Sequence, residues 1–187
     1  MADLLRTFVA VKIEPSPVLI QTIDDLKNKL SGEPVKWVEP DRLHLTLKFI
    51  GETLPSQVDE IGEELNQAVK LFSSFSFELE GLGFFKNREK PRVLFANIKE
   101  GEVLQLLAAE IDNRLANLGF EPEKRPFKPH LTIARIKFLK NKKTFYQAVE
   151  NYRETFFQTV TINELIFYRS ILKTEGAEYI SLNVLKL

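Results

Sequence analysis

The 187-residue sequence contains no cysteine and only two histidines, and its 26 lysines and arginines are balanced by 26 aspartates and glutamates. Without cysteine, the chain cannot form disulfides, thiolate nucleophiles, iron–sulfur clusters or cysteine-ligated zinc sites. The zero net charge argues against binding nucleic acid through bulk cationic charge, although it is compatible with a local basic patch. These absences leave the two histidines as the main acid–base pair near neutral pH.

Long uncharged hydrophobic segments are also absent. No stretch approaches the roughly 18–20 apolar residues that span a membrane. The N-terminal segment Met1–Arg6 lacks the basic and then apolar pattern of a secretory signal. Apolar residues still make up 44% of the chain, enough to fill one domain or two small lobes. We therefore expect a cytoplasmic protein that does not insert into membranes.

Both histidines occur in the same local pattern, a His-Leu-Thr triplet followed by an aliphatic residue. The first copy is His44–Leu47 and the second is His130–Ile133. In a β-strand, residues i and i+2 share a face, so the histidine and threonine of each copy project together, away from the aliphatic residues. The pattern predicts two strands with an apolar back in the core and an imidazole and a hydroxyl on the opposite face.

The two triplets belong to a longer internal repeat. Ala10, in a strand-like segment, precedes His44 by 34 residues, and Ala96, in a second such segment, precedes His130 by the same distance. Helical and strand-like patterns follow in the same order after each. This order indicates two copies of a strand–helix–strand–helix–strand unit, offset by 86 residues.

The segment Gly81–Pro91 is rich in glycine, proline and charge, and it predicts the boundary between two lobes. We expect a single domain over residues 1–187, with a lobe-level repeat of about 1–88 and 91–187. The predicted fold class is α+β and bilobal. Each lobe is expected to have a mainly antiparallel sheet with outer helices, and the paired His-x-Thr strands are expected to face a central cleft.

Two segments, Trp37–Gly51 and Arg125–Arg135, resemble the first and second motifs of the RNA 2′,3′-cyclic phosphodiesterases, which were first described as 2′-5′ RNA ligases. This family is a branch of the two-histidine phosphoesterases. Shorter segments are similar at matching places: Phe8–Ala10, Gly81–Phe85, Pro91–Leu94 and Tyr168–Ser170. The resemblance covers nearly the whole chain.

The resemblance implies an enzyme with a bilobal fold that hydrolyses RNA 2′,3′-cyclic phosphate to a 2′-phosphate, without a metal ion or another cofactor. Its partner would be RNA with a 2′,3′-cyclic phosphate end, single-stranded or tRNA-like, and no protein partner would be obligatory. It also implies that His44 is the proton donor and His130 the proton acceptor. Arg135 matches a family position that contacts the substrate phosphate.

This residue set agrees with what the chemistry requires. Opening a cyclic phosphate benefits from a base that activates water and an acid that protonates the leaving oxygen, and imidazole can act as either near neutral pH. Thr46 and Thr132 can donate hydrogen bonds to the non-bridging oxygens, whose charge rises in the transition state. Ring strain lowers the barrier, so a metal ion is not obligatory.

Further residues are candidates for substrate binding. By alternation, Lys48 shares the face of His44, whereas Arg135 lies opposite His130 unless a β-bulge intervenes. Phe127 and Tyr168 could stack on a base, as could Phe84 and Phe85. Eight basic residues and no acidic residue lie between Lys124 and Lys143, which leaves 18 basic and 26 acidic residues elsewhere. RNA phosphates could follow this basic run.

Alternatives remain open at this level. The histidines could be ordinary structural residues or metal ligands, although no third ligand has recognisable spacing. The threonines could simply favour strands, and the lysines could form a solvated face. The same site chemistry could serve 2′-5′ ligation of RNA halves. A non-catalytic RNA- or nucleotide-binding module is a third possibility, which usually requires loss of one histidine.

Overall fold

Two antiparallel sheets with helices form the described part of the chain, residues 4–174 and 176–187 of a computed structural model. The strands are β1 (Leu5–Lys12), β2 (Val35–Trp37), β3 (His44–Thr53), β4 (Phe75–Asn87), β5 (Lys90–Lys99), β6 (His130–Ile136), β7 (Phe156–Ile162), β8 (Glu164–Lys173) and β9 (Gly176–Lys186). The α-helices are α1 (Pro17–Lys29), α2 (Val58–Val69), α3 (Glu102–Asn117) and α4 (Lys142–Glu150).

The strand order is β3-β1-β8-β9 in the first sheet and β2-β6-β5-β4-β7 in the second. All neighbouring strands in both sheets are antiparallel. The predicted α+β class with two mainly antiparallel sheets is therefore confirmed. Each motif strand, β3 or β6, lies beside the strand that begins its repeat, β1 or β5.

The two sheets do not correspond to the two halves of the sequence. β4 comes from the first half but pairs with β5 in the second sheet, and β8 comes from the second half but pairs with β1. The segment Gly81–Pro91 forms the β4–β5 hairpin, and both turn residues, Arg88 and Glu89, have positive φ. The predicted lobe division at about 1–88 and 91–187 is therefore wrong, because this turn connects neighbouring strands of one sheet.

The register of the repeat differs slightly from the prediction. The histidines and the strands that carry them are related by the expected 86 residues. On the neighbouring strands, however, Ala10 lies opposite Thr46 and Phe95 lies opposite Thr132. These two partner residues, Ala10 and Phe95, are 85 positions apart in the sequence. The structural equivalent of Ala10 is thus Phe95 rather than Ala96.

The helices follow from capping and from apolar spacing. The Ser16 hydroxyl accepts a hydrogen bond from the backbone of Leu19 at the start of α1, and Pro17 fits the first turn. Asn141 caps α4 in the same way. In the described residues, no helix is long and apolar enough to cross a membrane.

Each sheet is covered by one helix from each half of the sequence, and the two helices pack on each other. α2 and α3 pack on each other, and they contact β9 and β3 of the first sheet. α1 and α4 pack on each other, and they contact β7 and β4 of the second sheet. Both sets of contacts belong to one continuous hydrophobic core. The outer helices therefore seal the backs of the sheets and leave the faces with the histidines to form the site.

Two neighbouring leucines on α3 provide a matched test of this packing. Leu107 is fully buried, whereas Leu106 is 64% exposed. We expect Leu107→Ala to lower the free energy of unfolding by about 2–5 kcal/mol, because it removes buried apolar surface and leaves a cavity. Leu106→Ala should change it by no more than about 0.5 kcal/mol. Urea denaturation measures both, and equal losses would contradict the assigned helix face.

Candidate active site

The first motif strand, β3, contains a β-bulge at Leu47. Thr46 lies opposite Ala10 on β1, whereas Phe49 lies opposite Phe8, so β3 has an extra residue in between. Because Ala10 and Phe8 are two positions apart on β1, they share a face. The bulge therefore brings Phe49 onto the face that carries the motif histidine and threonine.

β6 contains an equivalent bulge at Ile133. Thr132 lies opposite Phe95 on β5, and Arg135 lies opposite Val93, which is on the same face of β5 as Phe95. Arg135 thus shares the face of the second motif's histidine and threonine, and its side chain is exposed. The bulge that the sequence prediction required for Arg135 is present.

Lys48 is turned the other way by the first bulge. It lies opposite Val9, and its side chain is only 2% exposed. The ammonium group forms an ion pair with Asp112 on α3 and donates a hydrogen bond to the carbonyl of Glu121, at 3.2 Å. The prediction that Lys48 shares the face of His44 and contacts phosphate is wrong, because strict alternation does not account for the extra residue.

Both imidazoles are held by the same hydrogen bond. The Nδ1 atom of His44 lies 2.8 Å from the carbonyl oxygen of Arg42, and that of His130 lies 2.7 Å from the carbonyl oxygen of Lys128. A carbonyl oxygen only accepts, so Nδ1 must carry the hydrogen in both rings. In the neutral ring, Nε2 then carries the lone pair. Nε2 is therefore the ring nitrogen of each imidazole that is available to take or give a proton.

Burial lowers the pKa of both His44 and His130 below the ordinary value of about 6.5. The hydrogen bond to the backbone carbonyl opposes this effect in each ring, and the positive charge of Arg135 lowers both pKa values further. Because Arg135 acts on both rings, and because β3 and β6 contact each other, we treat the three side chains as one candidate site. At pH 7 both imidazoles are mostly neutral.

Aromatic rings cause much of this burial. Centroid distances from His44 are 5.3 Å to Phe8 and 5.0 Å to Tyr179, and distances from His130 are 4.8 Å to Phe85 and 5.3 Å to Phe95. Apolar ring surface replaces water beside each imidazole, which disfavours the charged form. The same packing restricts the rotation of the rings, so Nε2 of each histidine keeps its direction.

Gly83 on β4 makes room for the side chains next to His130. A Cβ atom at this position would lie 2.6 Å from the ring of Phe95 and 2.8 Å from the side-chain oxygen of Asn97. Asn97 lies directly opposite His130 on β5. Any larger residue at position 83 would displace the ring and the amide that border the second histidine.

A cavity of about 340 Å³ opens beside His44. Its lining combines cationic, acidic and phenolic side chains: Lys12, Asp41, Arg42, Leu43, His44, Tyr168, Glu178 and Tyr179. The Tyr168 ring also stacks on Phe8 at 5.1 Å. Phenol rings provide stacking surface, and two cations share the lining with two carboxylates, so the lining fits a ligand with an aromatic group and several polar groups.

The LigT-like phosphoesterase family model matches residues 11–95 and 98–179 of the chain. The chain belongs to this family. Two relatives named RNA 2′,3′-cyclic phosphodiesterase come from Aeropyrum pernix and Archaeoglobus fulgidus. The first is 35% identical over 83% of this chain and 88% of its own length, and the second is 34% identical over 96% and 99%. The resemblance inferred from the sequence motifs is confirmed.

Solved structures share the fold of this LigT-like phosphoesterase. TT0787 of Thermus thermophilus has a TM-score of 0.78 and 27% identity, with 97% of each chain covered. Escherichia coli LigT complexed with 3′-AMP has a TM-score of 0.75 and 23% identity, with 99% of each chain covered. The overall fold of the chain is thus one that these solved structures share.

The aromatic residues predicted to stack on a base lie in different environments. Tyr168 lines the cavity beside His44. Phe127 is half-buried and packs against the core, and its contact with substrate stays a prediction. Phe84 packs on Phe145 and Tyr146 of α4, with ring centroids 5.5 Å apart in both pairs. The prediction for Phe84 is wrong, because its ring is on the outer, helix-covered side of the second sheet.

β6 divides the basic run between Lys124 and Lys143 into two groups. Residues 124–128 precede His130, whereas residues 137–143 follow the far end of the strand, roughly 20 Å away at about 3.3 Å per residue. Arg135 is the member of the run whose position on the inner face places it with the histidines. The run is therefore not one continuous patch beside the site.

The side chains at the site that were not predicted from the sequence include Lys12, Phe49 and Tyr179. Phe49 is 55% exposed and occupies in β3 the position that Arg135 occupies in β6. The sequence repeat could have identified Phe49, since Phe49 and Arg135 are 86 residues apart, the same offset as the two histidines. Tyr179 reaches His44 only because β8 and β9 complete the first sheet, and no local pattern marks it.

A metal site would need at least one further ligand near the histidines. Within residues 4–174 and 176–187, no three histidine, cysteine, aspartate or glutamate side chains are grouped in a way that could hold a metal ion. Threonine is the other polar residue of each motif, and it is a poor ligand. The metal alternative therefore has no ligand set in this part of the chain.

We expect Arg135→Gln to raise the pKa of both histidines, because it removes a positive charge that disfavours both imidazolium ions. Proton NMR titration measures this directly, since the chain has only two histidines and His44→Ala assigns their signals. Arg114→Gln, on α3 and paired with glutamates, is the matched control and should shift neither. A shift confined to one histidine would contradict a site shared by all three side chains.

Proposed function

We propose that this LigT-like phosphoesterase hydrolyses RNA 2′,3′-cyclic phosphate ends to 2′-phosphates. The observation that supports the proposal is that His44 and His130 lie on the contacting strands β3 and β6, with Nδ1 of both bonded to a backbone carbonyl and the charge of Arg135 acting on both rings. In-line opening of a cyclic phosphate needs a base on one side of phosphorus and an acid on the other. The relatives from Aeropyrum pernix and Archaeoglobus fulgidus carry the name of this activity.

His44 is proposed as the acid and His130 as the base. A nucleoside bound in the cavity beside His44 would bring its ribose oxygens close to that ring, and the motif resemblance assigns the 3′ oxygen to His44. His130 Nε2 would take a proton from water while the water oxygen forms its bond to phosphorus. As the bond from phosphorus to the 3′ oxygen breaks, His44 Nε2 would give that oxygen its proton, which leaves a 2′-phosphate.

Protonation of the acid is coupled to substrate binding in this mechanism. Both imidazoles are mostly neutral in the unliganded protein, because burial and Arg135 lower their pKa values. A phosphodiester anion placed beside His44 would raise the pKa of that ring. Arg135 would bind a non-bridging oxygen, and the hydroxyls of Thr46 and Thr132 would donate further hydrogen bonds as negative charge develops.

RNA is the substrate class that fits the rest of the site. The phenol rings in the cavity and the exposed ring of Phe49 offer surfaces on which unpaired bases stack. Lys12 and Arg42 line the same cavity and would attract the negatively charged backbone. The proposed reaction uses only the chain's own side chains, without a cofactor.

Product analysis of single-histidine variants tests the proposal. We expect His44→Ala and His130→Ala each to lower kcat/KM by about 10²–10⁴-fold, because each removes one positioned proton transfer. The substrate is an oligonucleotide with a 2′,3′-cyclic phosphate, in excess EDTA, and the wild-type product should carry a 2′-phosphate. Leu106→Ala, with an exposed side chain on α3, is the control and should retain full activity.

Other outcomes of that experiment separate the alternatives. Full activity in either folded histidine variant would refute the two-histidine mechanism. Loss of wild-type activity in EDTA that added metal restores would refute catalysis without a cofactor. Adding an RNA with a 5′-hydroxyl end tests ligation, and a joined product in preference to hydrolysis would reverse the assigned direction. Binding without turnover between pH 5 and 8 would support a binding module.

We expect a bell-shaped pH dependence, because the reaction needs one protonated and one neutral imidazole. The kcat/KM profile reports the free enzyme, in which both pKa values are lowered. Its alkaline limb should therefore begin below pH ~6.5. The alkaline limb of kcat should lie at higher pH, because the bound phosphate raises the pKa of the acid. A flat profile from pH 5 to 9 would contradict the mechanism.

A further inference from the structure

We infer that the ion pair between buried Lys48 and partly buried Asp112 positions His130 by fixing the loop that leads into β6. Lys48 belongs to β3, the strand of the first histidine, whereas Asp112 lies on α3, which precedes that loop. The kinetic part of this inference rests on the proposed role of His130 as the base. The structural part stands on the contacts of the pair.

Both members of the pair hold the backbone of the same short segment. The ammonium of Lys48 donates a hydrogen bond to the carbonyl of Glu121 at 3.2 Å. The carboxylate of Asp112 accepts the backbone N–H of Glu123, with distances of 3.1 and 3.2 Å to its two oxygens. The ion pair between Lys48 and Asp112 thus ties residues 121–123 to β3 and to α3 at once.

The held segment is close to His130 along a stiff stretch of chain. Four residues lie between Glu123 and Lys128, and proline at positions 122, 126 and 129 restricts the backbone. The carbonyl of Lys128 receives the Nδ1 hydrogen of His130 at 2.7 Å. The position of residues 121–123 therefore influences the carbonyl that orients the imidazole.

The segment before His44 is also held by the other motif strand, but through backbone hydrogen bonds instead of an ion pair. β2, which leads toward His44, pairs with β6, and Trp37 lies opposite Ala134. The backbone N–H of Val38 then donates to the carbonyl of Ile133, the bulged residue of β6, at 2.9 Å. The segment before each histidine is thus anchored on the strand of the other histidine.

No strand performs this task for the second motif. In the described residues β3 is an edge strand, and the segment before His130 does not pair with it. The residue of β6 equivalent to Lys48 is Ala134, which has no side chain that could reach a loop. The Lys48 side chain supplies through its ammonium group the connection that β2 supplies through its backbone.

Replacing the whole pair separates positioning from stability. A buried ion pair can often be replaced by apolar residues of similar size without loss of stability, so Lys48→Met/Asp112→Leu should remain folded. We expect kcat to fall about 10- to 100-fold, as a displacement of about 1 Å at a catalytic group does, with a smaller change in KM. In NMR spectra, the imidazole signals of His130 should shift while those of His44 stay in place.

A matched double variant on the same helix controls for the loss of an ion pair. The pair Arg114–Glu110 on α3 has an Nε–Oε1 distance of 2.5 Å, and Arg114 also pairs with Glu64 on α2, so the polar partners of Arg114 lie outside the loop and the motif strands. Arg114→Met/Glu110→Leu should leave kcat and both sets of imidazole signals unchanged. Equal losses of kcat in the two double variants would overturn the inference, because the effect would then be one of general stability.

Two further results decide the remaining cases. Unchanged kcat and unchanged His130 signals in folded Lys48→Met/Asp112→Leu would overturn the inference. If that variant does not fold, Asp112→Asn is used, which removes the charge but keeps an oxygen for the Glu123 N–H. It should shift the His130 signals alone, and unshifted signals would overturn the inference. The NMR measurement needs no turnover, so it stays decisive even if the proposed hydrolysis fails.

Discussion

The extra residues at Leu47 in β3 and at Ile133 in β6 determine the composition of the site. With strict alternation, Arg135 would point into the apolar back of the second sheet, where an unpaired guanidinium is very costly. The bulge at Ile133 turns it toward both histidines, and the bulge at Leu47 brings Phe49 to the equivalent place in the first sheet. The same bulge sends Lys48 to the covered side of β3, where Asp112 compensates its charge.

The two copies of the motif treat their histidines alike and their other residues differently. Both imidazoles bond through Nδ1 to a carbonyl two residues earlier, and burial lowers the pKa of both. Intrinsic acidity therefore does not distinguish donor from acceptor. The difference arises from the surroundings, because the cavity with the phenol rings lies beside His44 only. The duplication supplies two imidazoles held in the same way, and in the proposed mechanism the position of the bound nucleoside assigns their roles.

The sequence was sufficient for the fold class and for locating the two histidine motifs on strands, because both depend on local patterns: the repeated triplet, alternating strands and amphipathic helices. The sequence predicted the wrong face of β3 for Lys48. A bulge moves the residues after it to the opposite face of the sheet, and the apolar pattern around it does not reveal this. The sequence was also misleading for the segment Gly81–Pro91, because turn residues mark a reversal of the chain but not the strands that it joins. Tyr179 was missed because its approach to His44 depends on pairing between distant strands.

The exchange of strands between the two sheets also has a consequence for folding. Arg6 pairs with Ser170, so contacts in the middle of the first sheet connect residues 164 positions apart. Such a topology has a high contact order, and closing long loops before their contacts form slows folding. During synthesis on the ribosome, β1 and β3 must wait for β8 to emerge before their sheet is complete. The enzyme's site is thus assembled late, after almost the whole polypeptide has been made.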